Sequence, residues 1–357
     1  MKRIAILAAT LLVVSCGGGA PAATAPASSA ATSAAPETAQ QRMARLYEAA
    51  KAEGKVNFYS SLNTTDASFV IPVFEKQFPG VKIEHTRASG EQLVQKLVTE
   101  KKSGQDLFDV FETNNFEVKF VIDQGYTQPY KVASWDDFPA NARDDKGGMW
   151  IADRVNKNVP AFNTQKLGAG NVIKTWKDLC DKKYEGKVAV ESGDVAVYTM
   201  LRLSMGEAQA QEILKCVAAN KPRLTSGHTD TDNLLAAGEF AITFNSYASV
   251  IANLKSDKKA PVDFVRTEPV LIDIQLMALA NKPPHPNAGK LLMEWLASPD
   301  GQQAIANAGR ETATTNASVK QKYADLQLWG KAFYNSPDNQ KDFEKDSNFW
   351  RSTFGIK

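Results

Sequence analysis

Cysteine and histidine are scarce in this chain, and their scarcity excludes a good deal. Three Cys and three His occur among 357 residues. Cys16 falls in an N-terminal leader, which leaves Cys180 and Cys216, with no CxxC pair and no Cys/His cluster at zinc spacing. His85, His228 and His285 are far apart in sequence, so neither a His-built metal site nor a Ser-His-Asp triad has support. An excess of charge is also lacking: 42 Lys and Arg stand against 40 Asp and Glu, which removes the electrostatic case for nucleic acid. GxSxG, HExxH, the P-loop and GxGxxG are all absent, which weighs against an enzyme. Nor is there a long hydrophobic run. The nearest candidate, Ile4–Val14, is too short to span a bilayer as a permanent helix.

What is present begins with that run. Lys2 and Arg3 precede it and Ser15-Cys16-Gly17 closes it, the layout of a signal peptide. The stretch VVSC ending at Cys16 resembles the bacterial lipobox. That resemblance implies cleavage before Cys16 and lipid attached to its sulfur and amine. Residues 1–16 are therefore read as a lipoprotein signal peptide with its lipidated Cys. Residues 17–40 are dominated by Gly, Ala, Pro, Ser and Thr and form no core, so they are read as a flexible tether. The expected location is the cell envelope, with a globular body held by lipid alone on the extracytoplasmic face of a membrane.

The body alternates strands with helices. The stretch Trp150–Thr164 (WIADRVNKNVPAFNT) is extended in character, with Val155, Val159 and Phe162 at no helical period. Strand–helix alternation precedes it and resumes after it, so it reads as the strand by which the chain leaves one α/β lobe for another. This gives lobe 1 as residues 41–155 and 266–357, lobe 2 as residues 156–265, and a cleft between lobes joined by crossing strands.

Polar turns follow the strands, and in an open α/β sheet ligands bind at the carboxyl ends of strands. In the first lobe Val56–Tyr59 leads into Ser60, Ser61 and Asn63. Val81–Glu84 leads to Ser89 and Gly90 at the start of a helix, and Asp106–Phe111 into Glu112, Thr113 and Asn114. Ser89 or Gly90 at a helix start leaves free N–H groups, which suit an anion or plain N-capping. In the second lobe Lys187–Glu191 leads to Ser192 and Gly193, and Phe240–Phe244 to Asn245 and Tyr247. These residues are the candidate ligand contacts. Trp135 and Trp150 are assigned to the core, and His285, set among prolines, to a surface turn. The aromatic tail Leu326–Lys357 reads as helices on the outside of a lobe. Cys180 and Cys216, both in the second lobe of an exported chain, are expected to form a disulfide that restricts the unfolded chain by roughly 3–4 kcal/mol.

The segment NKPPHPNAGKLLMEWLASPDGQQAIANAG, from Asn281 to Gly309, resembles the C-terminal helical segment of bacterial extracellular solute-binding proteins of ABC importers. The resemblance extends through KVNFYSSLN, VKIEHTRASGEQLVQKLV, DLFDVFETNN, the crossing with AFNT, and GEFAITFNSYASV, in the order of the ferric-iron, thiamine, polyamine and phosphonate branch. It implies a two-lobed type II periplasmic-binding-protein fold of the α/β class. It also implies a non-enzymatic monomer that captures a small solute by hinge closure and delivers it to an ABC permease and its ATPase. Ferric members use adjacent tyrosines, but here Ala248 follows Tyr247 and Asn114 replaces the usual acid, with Glu112 nearby. The expectation is therefore a small polar, anionic organic solute and no cofactor. The alternative is Fe(III) as the ligand, held by Tyr247 and Glu112. An extracytoplasmic hydrolase and a solute sensor are the remaining alternatives.

Overall fold

The computed structural model describes residues 37–168 and 172–356. The signal peptide, Cys16 and the tether up to residue 36 lie outside the described residues. The end of the expected tether is ordered: Thr38 and Gln41 form a capping box that starts a helix at Ala39.

In chain order the elements are α1 (Ala39–Glu53), β1 (Lys55–Ser60), α2 (Thr64–Gln77), β2 (Lys82–Arg87), α3 (Gly90–Lys102), β3 (Val110–Asn114), α4 (Asn115–Asp123), β4 (Thr127–Gln128), β5 (Ile151–Asn163), α5 (Thr164–Leu167), β6 (Val188–Glu191), α6 (Ala196–Met205), α7 (Glu207–Ala219), β7 (Arg223–Thr225), α8 (His228–Ala237), β8 (Ile242–Tyr247), α9 (Ala248–Ser256), β9 (Val262–Phe264), β10 (Val270–Ala280), α10 (Pro286–Ala297), α11 (Pro299–Asn307), β11 (Glu311–Thr312), β12 (Ala332–Asn335) and α12 (Phe343–Phe354).

The main path of the sheet runs β2-β1-β3-β10-β5-β8-β6-β7. β1, β2 and β3 are parallel, as are β6, β7 and β8. Between these groups stand β5 and β10, the longest strands, antiparallel to each other and to their outer neighbours. β5 contains the stretch read from sequence as the crossing, and β10 is the return. Pro160 lacks an N–H, and the pairing of β5 with β8 shifts register there, between Val159 and Ala161. Lys157, mid-β5, is buried and paired with Glu311 of β11, and its ammonium also donates to the Leu326 carbonyl at 2.8 Å. β5 is thus pinned by charge where it passes between the two halves.

The apolar side chains form separate cores on either side of these strands. One gathers Val56, Phe58, Phe74, Leu93, Leu97 and Val118 with Leu291, Leu292 and Trp295 of α10. Here Phe74 meets the edge of Trp295 at 5.4 Å between ring centroids, and the indole N–H donates to Gln77 at 2.7 Å. A second holds Trp176, Tyr198, Leu201, Ile213, Leu214 and Phe244, and a third, adjoining it through β8, Leu235, Phe240, Ile251 and Phe264. Cys180 and Cys216 form a disulfide, with a Cα–Cα distance of 5.0 Å, joining a 3₁₀ turn to α7.

Three sequence expectations differ from the structure. The third strand starts at Val110 and includes Glu112 and Thr113, both buried, so they are strand residues and not loop residues. The tail is not all helix: β12 adds a parallel strand to β10 before α12. Trp350 of α12 is buried in the second core, where its indole donates to the Ser192 carbonyl at 2.8 Å. His285 is no surface residue either. Its ring Nδ1 lies 2.9 Å from the buried Asp109 carboxylate, which also accepts the His285 backbone N–H at 2.6 Å.

Candidate functional site

A polar cavity of about 1020 Å³ lies between the two groups of parallel strands, walled by the carboxyl-end turns of both and floored by Arg154, Asn156, Asp273 and Gln275 of β5 and β10. Six helices present their N-terminal residues to it: Thr64 and Thr65 of α2, Gly90 of α3, Asn115 and Phe116 of α4, Ala196 of α6, His228 and Thr229 of α8, and Ser249 and Val250 of α9. Each helix start carries unpaired N–H groups and the positive end of a helix dipole, so their convergence makes the cavity favourable to negative charge.

The two sides differ in how those ends are capped. α2, α3 and α4 each have a side-chain cap, from Asn63, Ser89 and Asn114. α6, α8 and α9 have none: Val195, Gly227 and Tyr247 stand at the N-cap without a side-chain bond. Apart from the Tyr198 N–H, which donates to the Val195 carbonyl at 3.0 Å, the first-turn N–H groups of the second side are open to solvent or to a guest.

Of the residues singled out in the sequence, Ser61, Asn63, Gly90, Thr113, Asn114, Gly193 and Tyr247 line the cavity. Gly90 has a specific reason to lack a side chain, because a Cβ there would fall 2.7 Å from the Thr113 hydroxyl and 2.8 Å from the Glu117 carboxyl carbon. Ser60, Ser89, Ser192 and Asn245 are not on the wall. Ser60 is buried, donating to Glu112 at 2.6 Å and accepting the Leu62 N–H. Ser89 is an exposed cap whose hydroxyl accepts the Gln92 N–H at 3.4 Å. The Ser192 hydroxyl donates to the Thr225 carbonyl at 2.8 Å. The amide of Asn245 accepts the Glu191 N–H and donates to the Glu191 carbonyl, so it fastens β8 to β6. Glu112, named for the ferric alternative, is also off the wall: it is fully buried and bound by Arg154 at 2.9 Å and by Ser60. Among the described residues no cluster of three or more His, Cys, Asp or Glu is placed to hold a metal ion.

Several charged wall residues escaped the sequence reading. His228 stacks on Tyr247 with ring centroids 3.9 Å apart, and its Nε2 lies 3.3 Å from Asp194. Burial pulls the imidazole down, but the bond to Asp194 and the charges of Asp194, Glu191 and Asp232 outweigh it and raise the group to about 9. Tyr247 moves well above the usual phenol value through burial and the nearby carboxylates of Asp194, Asp273 and Glu191, so it stays protonated and can donate a hydrogen bond. Burial raises Glu117 and Asp273 to about 7, with Asp194 adding to the effect on Asp273. Arg310 reaches the cavity from the turn after α11, its Nε donating to Asp66 at 2.7 Å. Asp194 was legible as the residue after Ser192-Gly193. Arg310 was not, since nothing in its sequence neighbourhood marks a turn that faces the cleft.

The polar cleft at the carboxyl ends of two strand groups, joined by long crossing strands, defines a protein built to hold a small molecule between two halves. Comparison with known proteins gives the class. Residues 105–333 match the family described as bacterial extracellular solute-binding protein, and the chain belongs to that family. Its fold is the two-lobed type II periplasmic-binding-protein fold. A structure of iron-bound HitA from Pseudomonas aeruginosa is similar with a TM-score of 0.73 at 13% identity, over 84% of this chain and 99% of that one. AfuA from Actinobacillus pleuropneumoniae with fructose-6-phosphate bound gives a TM-score of 0.70 at 20% identity, over 85% of this chain and 100% of that one. An uncharacterized protein of Haemophilus influenzae is 25% identical over 292 residues, which are 76% of this chain and 82% of the relative.

Proposed function

We propose that this chain captures a small anionic organic solute between its lobes by hinge closure and passes it, chemically unchanged, to the permease of an ABC importer. The observation that carries the reading is the convergence of six helix N-termini on one cleft, three of them uncapped. The protonated His228 and the Arg310 guanidinium add positive charge to the same wall. Asp66, Glu191, Asp194 and Asp230 also line the wall, Asp66 paired with Arg310 and Asp194 with His228, while the raised Glu117 and Asp273, half or more neutral near pH 7, oppose the positive charge less than full carboxylates would. A cavity of about 1020 Å³ also suits an organic molecule better than a bare ion. The solved relatives hold iron in one case and a sugar phosphate in another, and the second is the kind of guest this wall fits. The ferric alternative is weaker, because Glu112 is committed to Arg154 and Tyr247 resists ionisation.

In this reading the lobes are residues 41–155 with the first part of 266–357, and residues 156–265 with α12. The body is tethered outside the cytoplasm by lipid on Cys16. Tyr247, stacked on His228, forms one face of the site. Replacing Tyr247 with Ala is expected to weaken solute binding at least about tenfold while leaving the thermal midpoint nearly unchanged. Titration calorimetry against an anion panel checks this, and unchanged affinity would remove Tyr247 from the site.

A further inference from the structure

We propose that Arg310 is the residue that reads the anionic group of the solute and ties its capture to closure of the cleft. The inference rests on the anionic reading above and deepens it. Arg310 is placed where both halves meet. Its backbone stands between α11, packed on the first core, and β11, paired with crossing strand β5. The next residue, Glu311, is held by Lys157 of that strand, so the base of the Arg310 side chain is fixed beside the crossing.

The guanidinium touches one element from each half. Its Nε donates to Asp66 in the first turn of α2 at 2.7 Å, and its Nη1 donates to Ser249 in the first turn of α9 at 3.4 Å. Asp66 is itself held by Asn63, whose side chain both donates to its carboxylate and accepts its N–H, each at 2.9 Å. The acid therefore orients the guanidinium plane and lowers the entropy lost when a further partner binds. A guanidinium has five N–H donors and these contacts use two, which leaves donors in a planar fork on the cavity wall.

The rival cations are less suited, His228 being covered by Tyr247 and set 3.3 Å from Asp194. Arg154 is occupied by Asp153 and Glu112. Arg87 and Lys258 are exposed at the rim, where salt screens them. Beside the Arg310 guanidinium is the start of α9, which has no side-chain cap, with Ser249 and Val250 on the wall. An anion that takes the remaining Arg310 donors together with the adjoining start of α9 touches both halves at once. Such a guest binds the closed form better than the open one, which is the condition for driving closure.

The test uses mature protein with Arg310→Gln and Arg310→Lys. The probes are inorganic phosphate, glucose 6-phosphate, ethylphosphonate and citrate, read by titration calorimetry and by small-angle X-ray scattering with saturating probe. The wild-type protein is expected to bind at least one probe and to contract on binding. R310Q should bind that probe at least about 30-fold more weakly and fail to contract, and R310K should lose about tenfold because it keeps the charge without the fork. R310Q binding within about threefold of wild type, or contracting as wild type does, overturns the role of Arg310 alone. Should R310Q not fold, R310K decides, and wild-type affinity in it overturns the proposal. If no probe binds the wild-type protein, the anionic reading falls and this inference with it.

Discussion

Single buried side chains in and around this cleft set the response to pH. Glu117, Asp232 and Asp273 are raised by burial from ordinary values of 4.5, 3.8 and 3.8 to about 7. A carboxyl raised on folding binds its proton more tightly in the folded chain. Its contribution to stability is complete below about pH 4 and is lost as pH rises through about 7. His228, raised to about 9, acts in the same sense at higher pH: its contribution is present below about 6.5 and lost as pH passes 9. His85, lowered by burial from its ordinary 6.5, acts in the opposite sense but is a single group against three carboxyls. The ligand-free protein is therefore expected to melt at a higher temperature at pH 5 than at pH 7.5. Scanning calorimetry at the two values checks it, and a midpoint that rises with pH would show that these groups are not buried as described.

At the scale of elements, the sequence revealed the order of strands and helices because hydrophobic period and turn residues are local. The crossing at Trp150–Thr164 was legible from its lack of helical period, and β5 covers 151–163 of it. What was not legible depended on tertiary contact. Ser60 and Ser192 sit at strand ends as expected, whereas Asn245 lies within β8, which runs on to Tyr247; each turns its polar atoms to a neighbouring strand or turn, and no local pattern says which way a polar side chain will rotate. The N-terminus of α8 was missed because its first residue is His228 after Gly227, without the Ser, Thr, Asp or Asn that announces a cap. The same missing cap is what leaves that helix end available to a guest. The Cys180–Cys216 pairing was predictable from compartment and count, and it ties α7 to the turn before β6. Its reduction is expected to cost roughly 3–4 kcal/mol by releasing the closed loop in the unfolded chain. Urea midpoints with and without reductant measure this, and equal midpoints would mean that the bond adds nothing to stability.

For the whole molecule, separate cores share one continuous sheet, so the proposed closure would turn about the crossing strands. β5 and β10 carry the cavity floor, and Lys157 of β5 is paired with Glu311 of β11, so motion of these strands would change the cleft directly. The tail joins the halves a second time: β12 lies on β10, Phe343 stacks on Phe116 of α4 with centroids 4.1 Å apart, and α12 packs on the second core. Sequence separation hid this strap, since aromatic spacing alone does not say which core receives Trp350. The likeness to solved binding proteins at 13 and 20% identity fixes the architecture and leaves the guest to be read from the wall. Mass spectrometry of whatever the mature protein releases on denaturation, with metal analysis of the same sample, identifies the guest. The account predicts one equivalent of a small organic anion, such as a phosphate, phosphonate or carboxylate, and no stoichiometric metal. One equivalent of iron without an organic anion, or a purely cationic guest, would contradict it.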